Sequence, residues 1–257
     1  MVNYYQDDLA FIHDVGYGEF ARKAAPGILD IFARRRIRDG LVVDLGCGSG
    51  LWAGQLIERG YTVLGIDISE AMIRLARQRA PQAEFRVASI FQADIPPCRA
   101  VTSLGECISY LFDTTNNNRA LRQLFRRVYN ALAPGGVFVF DVMEMTGIGR
   151  ETTTRTFAEG DGWMTVVETQ EDRDRLTRRI TTFRKVGDLY RRADETHRVR
   201  LYDAATIAAE LRRVGFRVRI TRRYGDYALM KSRVAFIARR SGGSRQEAGS
   251  RRQEAGG

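Results

Sequence analysis

Histidine is nearly absent from this 257-residue chain, which has only His13 and His197, and lysine appears only at Lys23, Lys185 and Lys231. Two histidines and three scattered cysteines, Cys47, Cys98 and Cys107, with no CxxC pair, are too few ligands for a structural zinc site, so no metal is expected. An odd, dispersed set of thiols is also a poor disulfide framework and suits a reducing compartment. No apolar run approaches the roughly 18 residues of a membrane-spanning helix. The segment 1–10 lacks the basic head and apolar stretch of a secretion signal. A cytoplasmic, metal-free protein without a membrane partner is expected.

What is present fits a globular fold, with 44% hydrophobic and 28% charged residues. The net charge of +10 is unevenly spread. The chain is close to balanced through Gln170, whereas residues 171–240 carry 20 basic residues against 9 acidic ones. A general preference for arginine over lysine does not account for that asymmetry.

Periodicity supplies the organisation. Leu41 to Leu45 is a short apolar run ending in a glycine-rich turn, followed by a helical pattern over Trp52 to Arg59. Tyr61 to Asp67 reads as the next strand, and Ser69 as the N-cap of an amphipathic helix over Glu70 to Arg79, stopped by Pro81. Glu84 to Ala88 and Ala100 to Leu104 follow as strands. Arg119 to Leu132 reads as a helix ended by Pro134-Gly135-Gly136, and Val137 to Val142 as a fifth strand. Strands alternating with helices argue for a doubly wound α/β sheet, because parallel neighbours need crossovers packed on both faces.

After Asp141 the texture changes. Trp163 to Thr169, Leu176 to Lys185 and Leu189 to Tyr202 are rich in β-branched and aromatic residues and separated by polar turns, so an antiparallel meander is expected as an insertion. The core resumes with a helix over Ala204 to Val214, stopped at Gly215, and strands over Phe216 to Thr221 and Val234 to Ala238. The expected plan is one domain over 1–240: a helical cap (1–40), a core (41–142), the inserted meander (143–202) and the end of the core (203–240). Residues 241–257 are polar, with nothing larger than alanine to bury, and are expected to be disordered.

The chemistry points to Val42-Val43-Asp44-Leu45-Gly46-Cys47-Gly48-Ser49-Gly50. Three alternate glycines after a strand allow backbone angles closed to other residues and let a ligand approach the main chain. Asp67 ends the next strand, about 20 residues on, where a carboxylate can accept from both ribose hydroxyls of an adenosine-bearing ligand.

VVDLGCGSG followed by GIDIS resembles motif I and the acidic loop of the class I S-adenosylmethionine-dependent methyltransferases, and LAPGGVFVFDV resembles their later strand. AEFRVASIFQADIP and AVTSLGECISYLFD resemble the blocks between, so the likeness runs from about Tyr5 to Arg240. It implies a Rossmann-like, seven-stranded, mostly parallel sheet with helices on both faces, and S-adenosylmethionine as cofactor with S-adenosylhomocysteine as product. Asp44, Gly46, Cys47 and Gly48 would surround the methionine part, Asp67 the ribose and Ile68 the adenine. Ser89 and Ile90 would lie at the adenine edge, and the main chain of Leu104 and Gly105 near the amino group. The sequence departs from the pattern at Ser89, where the family often has an acid, and at Arg99, where it often has Asp.

Methyl transfer is an in-line displacement that needs alignment more than proton transfer. If a base is used, the candidates are Glu106 and Tyr110 beyond the fourth strand, and His13, which stands where a capping tyrosine is common. A solvent-facing His13 is the other reading, and His197 is expected in a surface or packing role. The meander resembles lids of small-molecule enzymes through Arg191 to His197 and Arg200-Leu201-Tyr202. A small-molecule acceptor methylated on O or N is therefore expected, with a monomer or homodimer. The lid arginines 178, 179, 191, 192, 198 and 200 would favour a carboxylate or phosphate if they face the pocket. An RNA methyltransferase using the basic last third, and a non-catalytic cofactor-binding protein, are the alternatives.

Overall fold

The computed structural model describes residues 4–145 and 152–242. In chain order, helices α1 (Asp7–Tyr17) and α2 (Glu19–Arg34) precede β1 (Leu41–Leu45), α3 (Leu51–Glu58), β2 (Thr62–Asp67), α4 (Glu70–Arg79) and β3 (Glu84–Val87). Then come β4 (Cys98–Ser103), a 3₁₀ turn over Cys107–Ser109, α5 (Asn118–Ala131) and β5 (Leu132–Met143). Four long strands follow, β6 (Thr152–Gly160), β7 (Trp163–Asp172), β8 (Arg175–Val186) and β9 (Leu189–Arg200). The chain closes with α6 (Ala204–Val214), β10 (Arg217–Thr221), the short pair β11 (Arg223–Tyr224) and β12 (Tyr227–Ala228), and β13 (Arg233–Arg239).

The core sheet has seven strands in the order β10-β13-β5-β4-β1-β2-β3. The pairs among β1 to β5 are parallel, and β13 runs antiparallel to both its neighbours. Alternation along each strand feeds two cores. Val43 and Leu45 face α5 and α6 through Leu124, Phe125 and Leu211, while Val42 faces α2 and α3 through Phe32 and Leu56. Local signals set the helix ends. The Ser69 hydroxyl accepts from the Met72 amide at 3.1 Å, Asn117 caps α5 by accepting from the Arg119 and Ala120 amides, and Gly215 ends α6 with φ 115°.

Two expectations need correction. The second sheet has four strands, β6-β7-β8-β9, not three. Thr152–Gly160 supplies the extra one by pairing along its whole length with β7, which a single-sequence pattern of threonines next to an exposed edge did not reveal. Pro134-Gly135-Gly136 lies inside β5 and does not precede it. Proline is tolerated there because the Pro134 position has no partner in the ladder to β13, which begins at Val137. The expected polar tail from 243 onward lies outside the described residues. No helix among the described residues is long and apolar enough to cross a membrane.

Candidate active site

The strand order turns back between β1 and β4, and ligands of open α/β sheets bind at the carboxyl ends of strands at such a switch point. A chamber of about 710 Å³ opens there, roofed by the inner face of β6 to β9 and closed at one side by α1. Its volume is in the range of pockets that enclose small ligands.

At its floor, the turn after β1 is folded tightly against β2. The amides of Gly46 and Cys47 both donate to the Ile66 carbonyl, at 2.7 and 3.1 Å. Gly46 and Gly48 have φ of 77° and 53°. A Cβ on Gly46 would lie 2.4 Å from the Cys107 sulfur, whereas one on Gly48 would enter open space, so Gly48 leaves its main chain bare to the chamber. Asp67 accepts from the Gly48 amide through Oδ2 and from the Ser69 amide through Oδ1, both at 2.9 Å. Burial raises its carboxyl above the usual range against those bonds.

Asp44 lies beneath the turn. It accepts from the Thr102 hydroxyl at 2.7 Å, and Trp52 Nε1–H donates to the same hydroxyl at 3.2 Å. Burial, opposed by the Thr102 bond and assisted by Asp67, pushes the Asp44 carboxyl up to about 7. Folding thus favours its protonated form. That contribution is complete below about pH 4 and is lost as the pH rises through 7, a change of up to about 4 kcal/mol. Urea unfolding at pH 5 and pH 8 checks this: Asp44→Asn, which keeps an acceptor for Thr102, is expected to gain stability relative to the unsubstituted chain at pH 8. An equal difference between the two chains at both pH values would contradict it.

The far wall is a charged network. Gly105 and Glu106 both have positive φ, 87° and 61°, so their amides converge on Asp141 at 3.0 and 2.8 Å. The Tyr224 hydroxyl donates to the same carboxylate at 3.1 Å. Glu106 meets Arg178 Nη1 at 2.5 Å and Arg233 Nη2 at 3.4 Å. Burial alone would raise its carboxyl, but the two guanidinium groups outweigh burial and hold it below the usual carboxylate range. A carboxylate so held is a poor proton acceptor. Tyr110 donates to Glu106 at 3.3 Å, and burial beside that carboxylate pushes its phenol up to about 12, so it stays protonated.

His13 faces the chamber, which overturns the solvent-facing reading. Its ring lies edge-on to Tyr5 at 5.2 Å and stacks near Tyr17 at 6.0 Å. Nδ1 is shut in without a partner, and burial pushes the imidazole down to about 4, leaving it neutral. Of the three candidate bases it is the one with no ion pair or hydrogen bond among the described residues. His197 is fully buried, so the surface half of its expected role is wrong. It sits within 5 Å of the rings of Tyr5 and Phe112, with Nε2 against Glu195 at 2.8 Å.

Ile68, Ser89, Ile90, Leu104 and Cys47 also line the chamber. Where an acid is missing at Ser89, the structure brings one from another loop, since the Ser89 hydroxyl donates to Asp113. Sequence reasoning also missed Arg233, which opens β13 opposite Met143 and has no local signal. Of the six meander arginines, Arg178 alone reaches the chamber wall. Arg191 binds Asp8 of α1, Arg179 and Arg192 pair with Glu168 and Asp194 outside, and Arg200 reaches Asn116 and Asn118. Arg178 was detectable as a polar residue between inward Leu176 and Ile180 on one strand face.

Comparison with known proteins places the geometry in context. Residues 42–136 match a family profile described as a methyltransferase domain. The chain is 28% identical over 216 residues to the putative methyltransferase YqeM of Bacillus subtilis, covering 79% of this chain and 85% of that one. It is 32% identical over 146 residues to a trans-aconitate 2-methyltransferase of Delftia acidovorans, covering 56% and 52%. Among solved structures, an S-adenosylmethionine-dependent methyltransferase from Clostridium acetobutylicum superposes with a TM-score of 0.76 at 21% identity, covering 91% and 98%. The sugar N-methyltransferase KedS8 from Streptoalloteichus superposes with a TM-score of 0.74 at 21% identity, covering 94% and 97%. With the motifs, the sheet order and these likenesses together, the chain is a class I S-adenosylmethionine-dependent methyltransferase.

Proposed function

We propose that the enzyme methylates an oxygen or nitrogen of a small-molecule acceptor inside the chamber beneath the four-stranded sheet, which acts as a lid. The observation that carries this reading is that one enclosed space joins the glycine turn and Asp67 to the wall of Glu106, Arg178 and His13. S-adenosylmethionine supplies a methyl carbon already activated by its sulfonium. The turn at Gly46 and Gly48, bare to the chamber at Gly48, and the carboxyl group of Asp44 would hold its methionine part, with the Leu104–Gly105 main chain near the amino group. Asp67 would accept from the ribose hydroxyls, while Ile68, Ile90 and Ser89 border the adenine.

The protein's own contribution is alignment and exclusion of water. Asp141 fixes the Gly105–Glu106 main chain, and Glu106 fixes Arg178 and Arg233. Neutral His13 offers a nitrogen to an acceptor N–H or O–H. The names of the trans-aconitate and sugar N-methyltransferases favour a small acceptor.

The test is incubation with methyl-labelled cofactor and a metabolite extract, with and without nuclease. Label is expected in a small, nuclease-resistant product. Label carried only by nuclease-sensitive polymer would replace this reading with RNA methylation.

A further inference from the structure

We infer that a cross-strand row on the inner face of the lid, Thr154–Thr169–Arg178, is the seat for a carboxylate borne by the methyl acceptor. This rests on the small-molecule methyltransferase reading above and adds to it the chemical class of the acceptor. Thr154 lies opposite Thr169, Thr169 opposite Arg178, and Arg178 opposite His197, so the four residues form one line across β6, β7, β8 and β9. Residues directly opposite share a face, and strands are about 4.8 Å apart, so the line is continuous. All four border the chamber.

Arg178 is held by one corner only. Its Nη1 donates to Glu106 at 2.5 Å and to Tyr110 at 3.2 Å, which uses both hydrogens of that nitrogen. Among the described residues, Nε and Nη2 have no hydrogen-bond partner. These two nitrogens form the guanidinium edge that receives a carboxylate through two parallel N–H···O bonds. Glu106 fixes the plane of the group, so the free edge is presented without loss of side-chain freedom on binding. The hydroxyls of Thr169 and Thr154 continue the donor row and have no side-chain hydrogen bond of their own among the described residues. His197 ends the row and is occupied by Glu195.

The charge balance selects among anions. Arg178 and Arg233 face Glu106 and Asp141, two positive groups against two carboxylates. Asp141 is further met by the amides of Gly105 and Glu106 and by Tyr224. The seat therefore has directed donors and little surplus charge, which suits the single charge of a carboxylate better than the double charge of a phosphate.

The test is calorimetric titration of enzyme saturated with S-adenosylhomocysteine. Trans-aconitate, citrate and benzoate are each compared with the neutral methyl ester, and inorganic phosphate is run beside them. At least one acid is expected to bind tenfold or more tighter than its ester. Arg178→Lys, which keeps a positive charge for Glu106 but has no second edge, should abolish that preference while S-adenosylhomocysteine affinity stays within about twofold. Thr169→Val should reduce the preference severalfold, and Arg192→Gln, on the outer face, should not change it. The inference is overturned if no acid outbinds its ester, if the preference survives Arg178→Lys, or if phosphate alone binds. Failure of S-adenosylhomocysteine itself to bind would instead strike the cofactor site on which the inference rests.

Discussion

Asp67→Ala is expected to weaken S-adenosylhomocysteine binding by at least about a hundredfold, because the proposed site loses two charge-assisted hydrogen bonds worth roughly 1.5 to 3 kcal/mol each. A second loss follows from the geometry. Asp67 also accepts from the amides of Gly48 and Ser69, so its removal frees the turn that the ligand must meet. The fold should survive, since the residue lies at the chamber end of β2 and makes no ladder or core contact through its side chain. Titration of the folded variant is the measurement. Asp67→Asn separates the two effects, as it retains an acceptor but loses the charge. Unchanged affinity in both variants would remove Asp67 from the cofactor site.

The second large effect is expected at Glu106. Glu106→Gln removes the carboxylate between Arg178 and Arg233, both only slightly exposed at 20% and 14% of their side-chain surface, and leaves Asp141, on the Arg233 side, as the one carboxylate of the network. Breaking a buried pair in this way costs about 3 to 5 kcal/mol. The loss should appear in urea unfolding. Activity should fall about a hundredfold through misplacement of the chamber wall. The pH–rate profile of the remaining activity should nevertheless keep its midpoint, because a carboxyl held below the usual range by two arginines does not titrate near the working pH. A displaced midpoint in Glu106→Gln would make Glu106 the base. Restoration of stability but not of activity by Glu106→Gln combined with Arg178→Met would separate the structural and positioning roles.

These expectations are unequal in origin. Asp67 was legible because a glycine-rich turn and an acid about 20 residues later lie on adjacent parallel strands, a relation that sequence spacing preserves. Ser69 and Gly215 were read as helix ends because a cap contacts residues only three positions away, and the structure shows those bonds; Asn117 and Asp203, which the sequence reading did not single out, cap α5 and α6 through equally local bonds. Glu106 was found by position, but the groups that lower its carboxyl were not, since they come from β8 and β13, 72 and 127 residues away.

The amino-acid sequence by itself determined the alternation of strands and helices, the glycine turn with Asp44 and Asp67, and the antiparallel character of the segment after β5. Each depends on periodicity or on neighbours within a turn or two. Tertiary structure alone decided which arginine enters the chamber, that Asp113 stands beside Ser89, that His13 is neutral and inward, and that Arg233 completes the network with Asp141. The physical reason is that strand register chooses the face of every residue, and burial together with distant charges chooses its protonation state. Neither register nor burial is a property of a residue and its sequence neighbours; both arise when the four-stranded sheet, α1 and the last strand of the core sheet border one cavity.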